Sequence, residues 1–446
     1  MYTPQIEPIR TLTLPESKVN YAVIGFFRCI IQLYARAIRF KEPVMIHSER
    51  MIGCFRQFQE KKIRLIVGFR HSYGDDPQCM AYTFHHALPK AARMTGKPLR
   101  GMTHVHFLYG VEVPFWSSGF VRWLLPNVGA IPVDHIHMDS KGMGRIRKII
   151  SEGEYPLALA PEGHVTYGSE RIVELETGTA RFGFWCMEDL ARAQREERVV
   201  FLPVSTFYRY GRGIEKKLAS FIAKMETECG ITARTKANDD ASPIAERLRA
   251  IGLSILAQLA EFYSEMTRDT ADDSQPQILE AALRSAERIF AIEPNPEDKP
   301  MTRLYRIRSI GWDRIYRNDI DEMTDLRREL ADRESGEAWF AMRHMETVEL
   351  LIYIDLTGVK DSEPIERYVE IANNFSDFIE RQKGGTLKNR ANAFDKYAII
   401  APGKPIMLND YLDLYKKDKK AALQKATDDM RAEYETSIKE YQDEYR

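Results

Sequence analysis

A histidine and an aspartate five residues apart, His71 and Asp76, lie in the segment Gly68-Phe-Arg-His-Ser-Tyr-Gly-Asp-Asp-Pro77. An imidazole is the side chain best suited to take a proton near neutral pH. A carboxylate at one ring nitrogen fixes its tautomer and stabilises the imidazolium, leaving the other nitrogen to accept a proton from a hydroxyl. The pair amounts to two-thirds of a serine-protease triad, with the substrate's own hydroxyl in place of the serine and no need for a covalent enzyme intermediate. Five residues along one helix would splay the two side chains, so a turn at Gly74 is expected to fold Asp76 back. Pro77 suits the first position of a helix, which makes Asp76 the expected N-cap. Asp75 is the alternative partner, and a capping aspartate beside an unrelated histidine is the reading without chemistry.

Two further segments bear on the choice: Gly129-Ala-Ile-Pro-Val-Asp-His135 and Leu159-Ala-Pro-Glu-Gly-His164. With His71 to Asp76, and with Pro203 in Phe201-Leu-Pro-Val204, they stand in an order that resembles the lysophospholipid and glycerol-phosphate acyltransferase family, of the bacterial 1-acylglycerol-phosphate acyltransferase kind. That family carries H-x-x-x-x-D after a strand, a G-x-I-x-x-D-R-like strand, a P-E-G-T-R-like turn and a later strand holding a proline. The resemblance covers roughly residues 40 to 210 and resumes at Gly403-Lys-Pro-Ile406, which looks like the family's closing G-x-P-I turn. It implies a glycerolphosphate-acyltransferase-like mixed sheet flanked by helices. His71 would then be general base and Asp76 its orienting acid, with Glu162 and Gly163 shaping the acceptor site. The donor would be acyl-CoA or acyl carrier protein (a donor phospholipid in a transacylase), the acceptor a lysophospholipid or related alcohol, and no cofactor or metal would be required.

The chain departs from the family where the acceptor phosphate is usually held. His135 stands for the arginine expected after Asp134, and His164-Val165 for the expected Thr-Arg. Neither replacement reproduces the bidentate fork of a guanidinium. Lys141 and Arg145, with Arg147 and Lys148, are the nearby cations left to bind an anionic acceptor, alongside His135 and His164; otherwise they are a solvated helix face.

Two rival classes fit parts of the same sequence. A metal-dependent hydrolase would use His135-x-His137-x-Asp139 or His104-x-His106, whose imidazoles and carboxylates suit zinc or iron. A non-catalytic lipid-binding protein would use its helical half as an interaction surface. A serine hydrolase is disfavoured because the chain has no G-x-S-x-G elbow.

The elements that must position these residues follow from the pattern. Up to about residue 210, apolar runs alternate with helical stretches. Ile63–Phe69, Val105–Leu108, Gly129–Val133, Pro156–Ala160 and Val199–Ser205 read as strands. Pro77–Met94, Lys141–Ser151 and Thr177–Glu197 read as helices. This is the signature of an α/β domain. From 211 to 393 the strand signal gives way to helical periodicity broken by acidic, proline-containing stretches, and near Lys396 a strand and turn return before a charged helix. The expected organisation is an N-terminal amphipathic segment (1–45), an α/β core (46–210), an all-helical insertion, lid or extension (211–393), and a return strand with a C-terminal helix (394–446).

Lys and Arg number 64 against 65 Asp and Glu, so nothing global points to nucleic acid. Five cysteines without a C-x-x-C pair fit a reducing compartment, and the N-terminus does not read as a signal peptide. In Tyr21–Phe40, Arg28, Gln32, Arg36 and Arg39 fall on one narrow stripe of an otherwise apolar helix. That pattern suits a membrane interface or a helix packed on the core. Phe115, Trp116, Phe120, Trp123, Leu124 and Leu125 form a second apolar stretch, expected to line an acyl channel, dip into a bilayer or pack internally. The expected location is cytoplasmic, peripheral on the inner face of the membrane.

Overall fold

The all-apolar run Ile63–Phe69 (β2) is buried along its whole length, as a strand covered on both faces must be. In the computed structural model of the chain, which describes residues 7–11, 16–37, 40–133, 140–231, 243–267, 274–295, 297–385 and 394–445, this strand sits at the centre of a mixed sheet. Its other members are β1 (Phe40–Met45), β3 (His106–Gly110), β4 (Ile131–Val133), β5 (Leu157–Leu159), β6 (Arg198–Tyr210), β7 (Lys396–Pro402) and β8 (Ile406–Met407). The spatial order is β1-β7-β6-β2-β5-β3-β4, with β8 paired to β6. Strands β6, β2, β5, β3 and β4 are mutually parallel. β7 runs antiparallel to β6, and β1 parallel to β7.

Helices cover both faces. On one, α2 (Ser48–Gln59), α3 (Asp76–Tyr82) and α4 (Leu88–Met94), with the turn Thr83–Ala87 between the last two, pack Met51, Phe55, Met80 and Phe84 against Leu65, Val67, Leu202 and Val204. On the other, α6 (Ser140–Glu152), α7 (Gly178–Arg192) and the C-terminal helix (Lys419–Tyr445) pack Ile146, Phe184, Met430 and Tyr434 against Ile66 and Phe201. Gly68 is required here: a Cβ would lie 2.2 Å from the Phe201 ring and 2.7 Å from the Tyr434 hydroxyl. The Tyr434 hydroxyl itself donates to the Gly68 carbonyl at 2.7 Å.

The expected helix Pro77–Met94 is interrupted. Thr83–Ala87 forms a π-helical turn, in which the Leu88 N–H donates to the Thr83 carbonyl. Pro89 has no N–H to continue the α-helical ladder, and the widened turn absorbs the missing bond. The charged C-terminal stretch likewise breaks, at Asp418, into Leu412–Lys417 and Lys419–Tyr445.

The chain divides into two compact units. The α/β unit comprises residues 14–211 and 395–446. The second comprises residues 212–394, inserted in chain order between β6 and β7, together with the N-terminal stretch, whose strand Ile9–Arg10 pairs with Tyr316–Arg317. It is built of the long helices Ile214–Glu228, Ile244–Thr267, Gln275–Ile289, Pro300–Ile315, Asp325–Tyr353 and Ile365–Gln382. The expected 1–45 segment is therefore not one piece: α1 (Tyr21–Ala37) and β1 belong to the α/β unit.

Helix α1 buries Ile24, Ile31 and Ala35. Ile24 packs with Leu124, Val128 and Tyr155, which ties α1 to α5 (Gly119–Asn127). Positions 26 and 33 lie roughly opposite this face at about 100° per residue, and Phe26 and Leu33 are 50% and 64% exposed. Arg28, Gln32 and Arg36 are exposed along one flank. On α5, Phe120 and Trp123 are exposed and in ring contact at 5.9 Å. Leu124 is buried and Leu125 partly so; the side chains of Phe115 and Trp116 lie outside the described part. Among the described residues, no helix is long and apolar enough to cross a membrane.

Candidate functional site

The parallel strands β2, β5, β3 and β4 all end on one edge of the sheet, where loops collect functional groups in open α/β folds. β2 delivers Arg70 and His71 to that edge, and β5 delivers Pro161, Glu162 and Gly163. The register sets Gly68 beside both Leu159 and Pro203. The Arg70 N–H still donates to the Val204 carbonyl at 2.9 Å, so the chain leaves the sheet only at His71.

The turn at Ser72–Asp75 brings Asp76 back toward the imidazole. Asp76 Oδ2 lies 3.9 Å from His71 Nδ1, which is buried and makes no hydrogen bond. The His71 side chain is 19% exposed, Asp76 not at all. Because Nδ1 is covered, the accessible part of the ring lies away from the carboxylate.

Asp76 is not the N-cap. It is the first residue of α3, and Asp75 holds the capping position in helical conformation (φ −90°, ψ −3°) without a side-chain cap bond. The Asp76 carboxylate is drawn backward instead. Its Oδ2 accepts the Tyr73 N–H at 2.7 Å and its Oδ1 accepts the Tyr208 hydroxyl at 2.5 Å. Burial, and then the Asp76 charge, push the Tyr208 phenol well above its ordinary range, so it stays a donor. Asp75, the alternative partner, turns away to accept Lys396 Nζ from β7.

Glu162 was expected at the acceptor site. It is fully buried and both its oxygens are occupied by protein groups. Oε1 accepts Arg70 Nε and Nη2, each at 3.1 Å, and Oε2 accepts the backbone N–H of His71 at 2.8 Å. Arg70, 1% exposed, spends its remaining donors on the carbonyls of Gly168, Ser169 and Arg171. Glu162 therefore braces the His71 backbone from a buried position, with both oxygens turned to the protein. The physical requirement is plain: a guanidinium at the end of an apolar strand must be paired and fully hydrogen-bonded to be tolerated there.

Gly163 takes the left-handed conformation (φ +77°) that lets the β5 loop turn back. Its N–H is closed onto the Ala160 carbonyl at 3.1 Å. His164 is half-buried beside it. Arg145 is exposed on the second turn of α6, which opens at the carboxyl side of β4. The side chain of Lys141 and all of His135 lie outside the described residues. Arg147 is engaged elsewhere, with Asp189 at 2.5 Å and Glu188 at 3.2 Å.

The rival metal ligands His135, His137 and Asp139 also lie outside the described residues. His104 and His106 serve the core: His104 Nε2 meets the Val128 carbonyl at 2.8 Å and its Nδ1 meets His85 Nε2 at 3.2 Å, while His106 Nδ1 meets the Gly129 carbonyl at 2.9 Å. Among the described residues, no group of three or more His, Cys, Asp or Glu is disposed to hold a metal ion. All five cysteines are free.

Sequence reasoning missed Arg70, Tyr208 and Lys396. Arg70 carried a signal, a lone charge closing an apolar strand. The other two had none, since nothing in Thr206-Phe-Tyr-Arg209 or Asp395-Lys-Tyr397 announces a contact with the loop at 71–76. Compared with protein-family models, with curated proteins and with solved structures, the chain matches none of them.

Proposed function

We propose that this protein is an O-acyltransferase of the glycerolphosphate-acyltransferase type. It would transfer a fatty acyl group from acyl-CoA or an acyl carrier protein to a hydroxyl of a lysophospholipid-like or glycerol-phosphate-like acceptor in glycerolipid synthesis. The observation that carries this reading is the juxtaposition of a partly accessible imidazole with a buried carboxylate 3.9 Å behind it. The order of the surrounding motifs along the sheet supports it.

In the proposed reaction the acceptor hydroxyl approaches the accessible edge of His71. Nε2 removes its proton as the oxygen attacks the thioester carbonyl carbon. Asp76 stabilises the imidazolium across Nδ1. The C–S bond then breaks, and the departing thiolate takes the proton back from the imidazolium, so ester and thiol are the products and the base is regenerated. Acceptor recognition falls to His164 and Arg145, with Lys141 and His135, rather than to Glu162. The outward face of α1, with Phe26 and Leu33 exposed and arginines along one flank, suits contact with an anionic membrane surface on the cytoplasmic side.

Incubation with acyl thioester and a panel of lysolipids and sterol- or sugar-type alcohols, followed by lipid mass spectrometry, tests the reading. A new ester should form with at least one acceptor and vanish in His71→Ala. No thioester consumption with any acceptor, or undiminished turnover in His71→Ala, removes it.

A further inference from the structure

We propose that Tyr208, on strand β6, is a positioning residue that decides how much of the Asp76 charge reaches His71 and thereby sets the basicity of that imidazole. The inference deepens the acyl-transfer reading by adding a third member to its acid–base pair.

The geometry around Asp76 carries the argument. The carboxylate has no exposure to water, so its charge is balanced only by protein donors. Two are in hydrogen-bond contact: the Tyr208 hydroxyl at 2.5 Å on Oδ1 and the Tyr73 N–H at 2.7 Å on Oδ2. The imidazole, at 3.9 Å, stands beyond hydrogen-bond reach. Tyr208 is itself locked in place. It is buried, meets the Tyr73 ring edge-on at 4.9 Å, and lies under Lys396 Nζ at 5.6 Å from its ring centre.

The other charged and titratable groups nearby cancel or stay neutral. Asp75 pairs with Lys396, and Arg70 pairs with Glu162. The Cys79 thiol, buried beside Asp76, is held neutral by burial and then by that carboxylate. The Tyr34 phenol is raised by burial and then by the Asp75 charge. The His71 ring stands within ion-pair distance of Asp76. A hydrogen bond to the ionised form of an acid weakens it as a base toward other partners. Removing the Tyr208 donor leaves Asp76 holding the imidazolium more strongly, and free to close on Nδ1.

The test needs no substrate. Diethylpyrocarbonate modifies neutral imidazole, and peptide mass spectrometry reports His71 separately from the other histidines. In Tyr208→Phe, the pH midpoint of His71 modification should rise by roughly half a pH unit or more relative to wild type. Thr206→Val, a buried change on the same strand and face, should leave the midpoint in place. Near-UV circular dichroism checks that each variant is folded. Should Tyr208→Phe fail to fold, 3,5-difluorotyrosine placed at position 208 decides the matter, because its stronger donor must move the midpoint downward. A folded Tyr208→Phe whose midpoint is unchanged or lower, or a difluorotyrosine protein whose midpoint stays put, overturns the proposal. The acid limb of thioester turnover should follow the same midpoint. A wild-type protein that consumes no thioester defeats the acyl-transfer reading and leaves the modification result to judge Tyr208 by itself.

Discussion

The backbone N–H of His71 donates to Glu162 Oε2 at 2.8 Å, and the Thr166 N–H donates back to the His71 carbonyl at 2.9 Å. The candidate base is thus held at both ends by the loop after β5, and that loop is held in turn by Arg70. Where the His71 backbone sits depends on a buried ion pair.

Breaking that pair from one side should be costly. Glu162→Ala strands the Arg70 guanidinium, and Arg70→Met strands the Glu162 carboxylate, each expected to cost about 3–5 kcal/mol in urea denaturation. The double variant should cost clearly less than the sum, because neither charge is then left alone. Additive losses would mean that the two side chains do not act as a unit.

Removal of the base itself should act on chemistry and not on folding. His71→Ala is expected to lower thioester turnover by roughly 10²–10⁴-fold with little change in melting temperature. Asp76→Asn should lower turnover too, and should also destabilise. Its amide nitrogen cannot accept as a carboxylate oxygen does, so it must either face the Tyr73 N–H, a donor, or turn the Tyr208 hydroxyl from donor to acceptor, at a cost of about 1–3 kcal/mol. Thermal melts beside the turnover assay separate the two effects.

The core histidines predict an acid-sensitive fold. Burial, with a smaller contribution from neighbouring histidine charge, lowers His85 from 6.5 to about 3; burial lowers His104 from 6.5 to about 4. For a base whose folded value is depressed, the unfolded chain binds more protons in the interval between the two values. The stability this neutral pair contributes is therefore complete above about pH 6.5. It is lost as pH falls from there toward 4, with a slope approaching 1.4 kcal/mol per pH unit for each histidine. Urea midpoints measured from pH 7.5 downward should fall accordingly, and more shallowly in His85→Leu.

The outward face of α1 can be tested apart from catalysis. Phe26→Asp with Leu33→Asp alters two exposed side chains and should leave the melting temperature nearly unchanged. If these residues enter a lipid surface, the loss of about 1.5–3 kcal/mol of burial for each should reduce binding to anionic phospholipid vesicles by at least an order of magnitude. Co-sedimentation with such vesicles reads this directly, and equal binding by the variant would remove α1 from the interface.

Much of the local structure could be read along the chain. A turn at Gly74 that folds Asp76 toward His71, an apolar strand leading into it and the α/β character of the first 210 residues are matters of spacing and periodicity, which neighbouring residues encode among themselves. The partners that give the loop its shape are of another kind. Glu162 lies 92 residues from Arg70, Tyr208 lies 132 from Asp76, and Lys396 lies 321 from Asp75. Those meetings follow from strand order and register, with β5 and β6 flanking β2 and β7 returning beside β6 after the helical insertion. Sheet pairing at such separations is settled by the packing of whole faces against one another, and no short stretch of residues carries it. That is why Glu162 reads as an acceptor ligand in its motif and becomes a brace in the folded chain, and why the tyrosine bonded to Asp76 had no mark of its own.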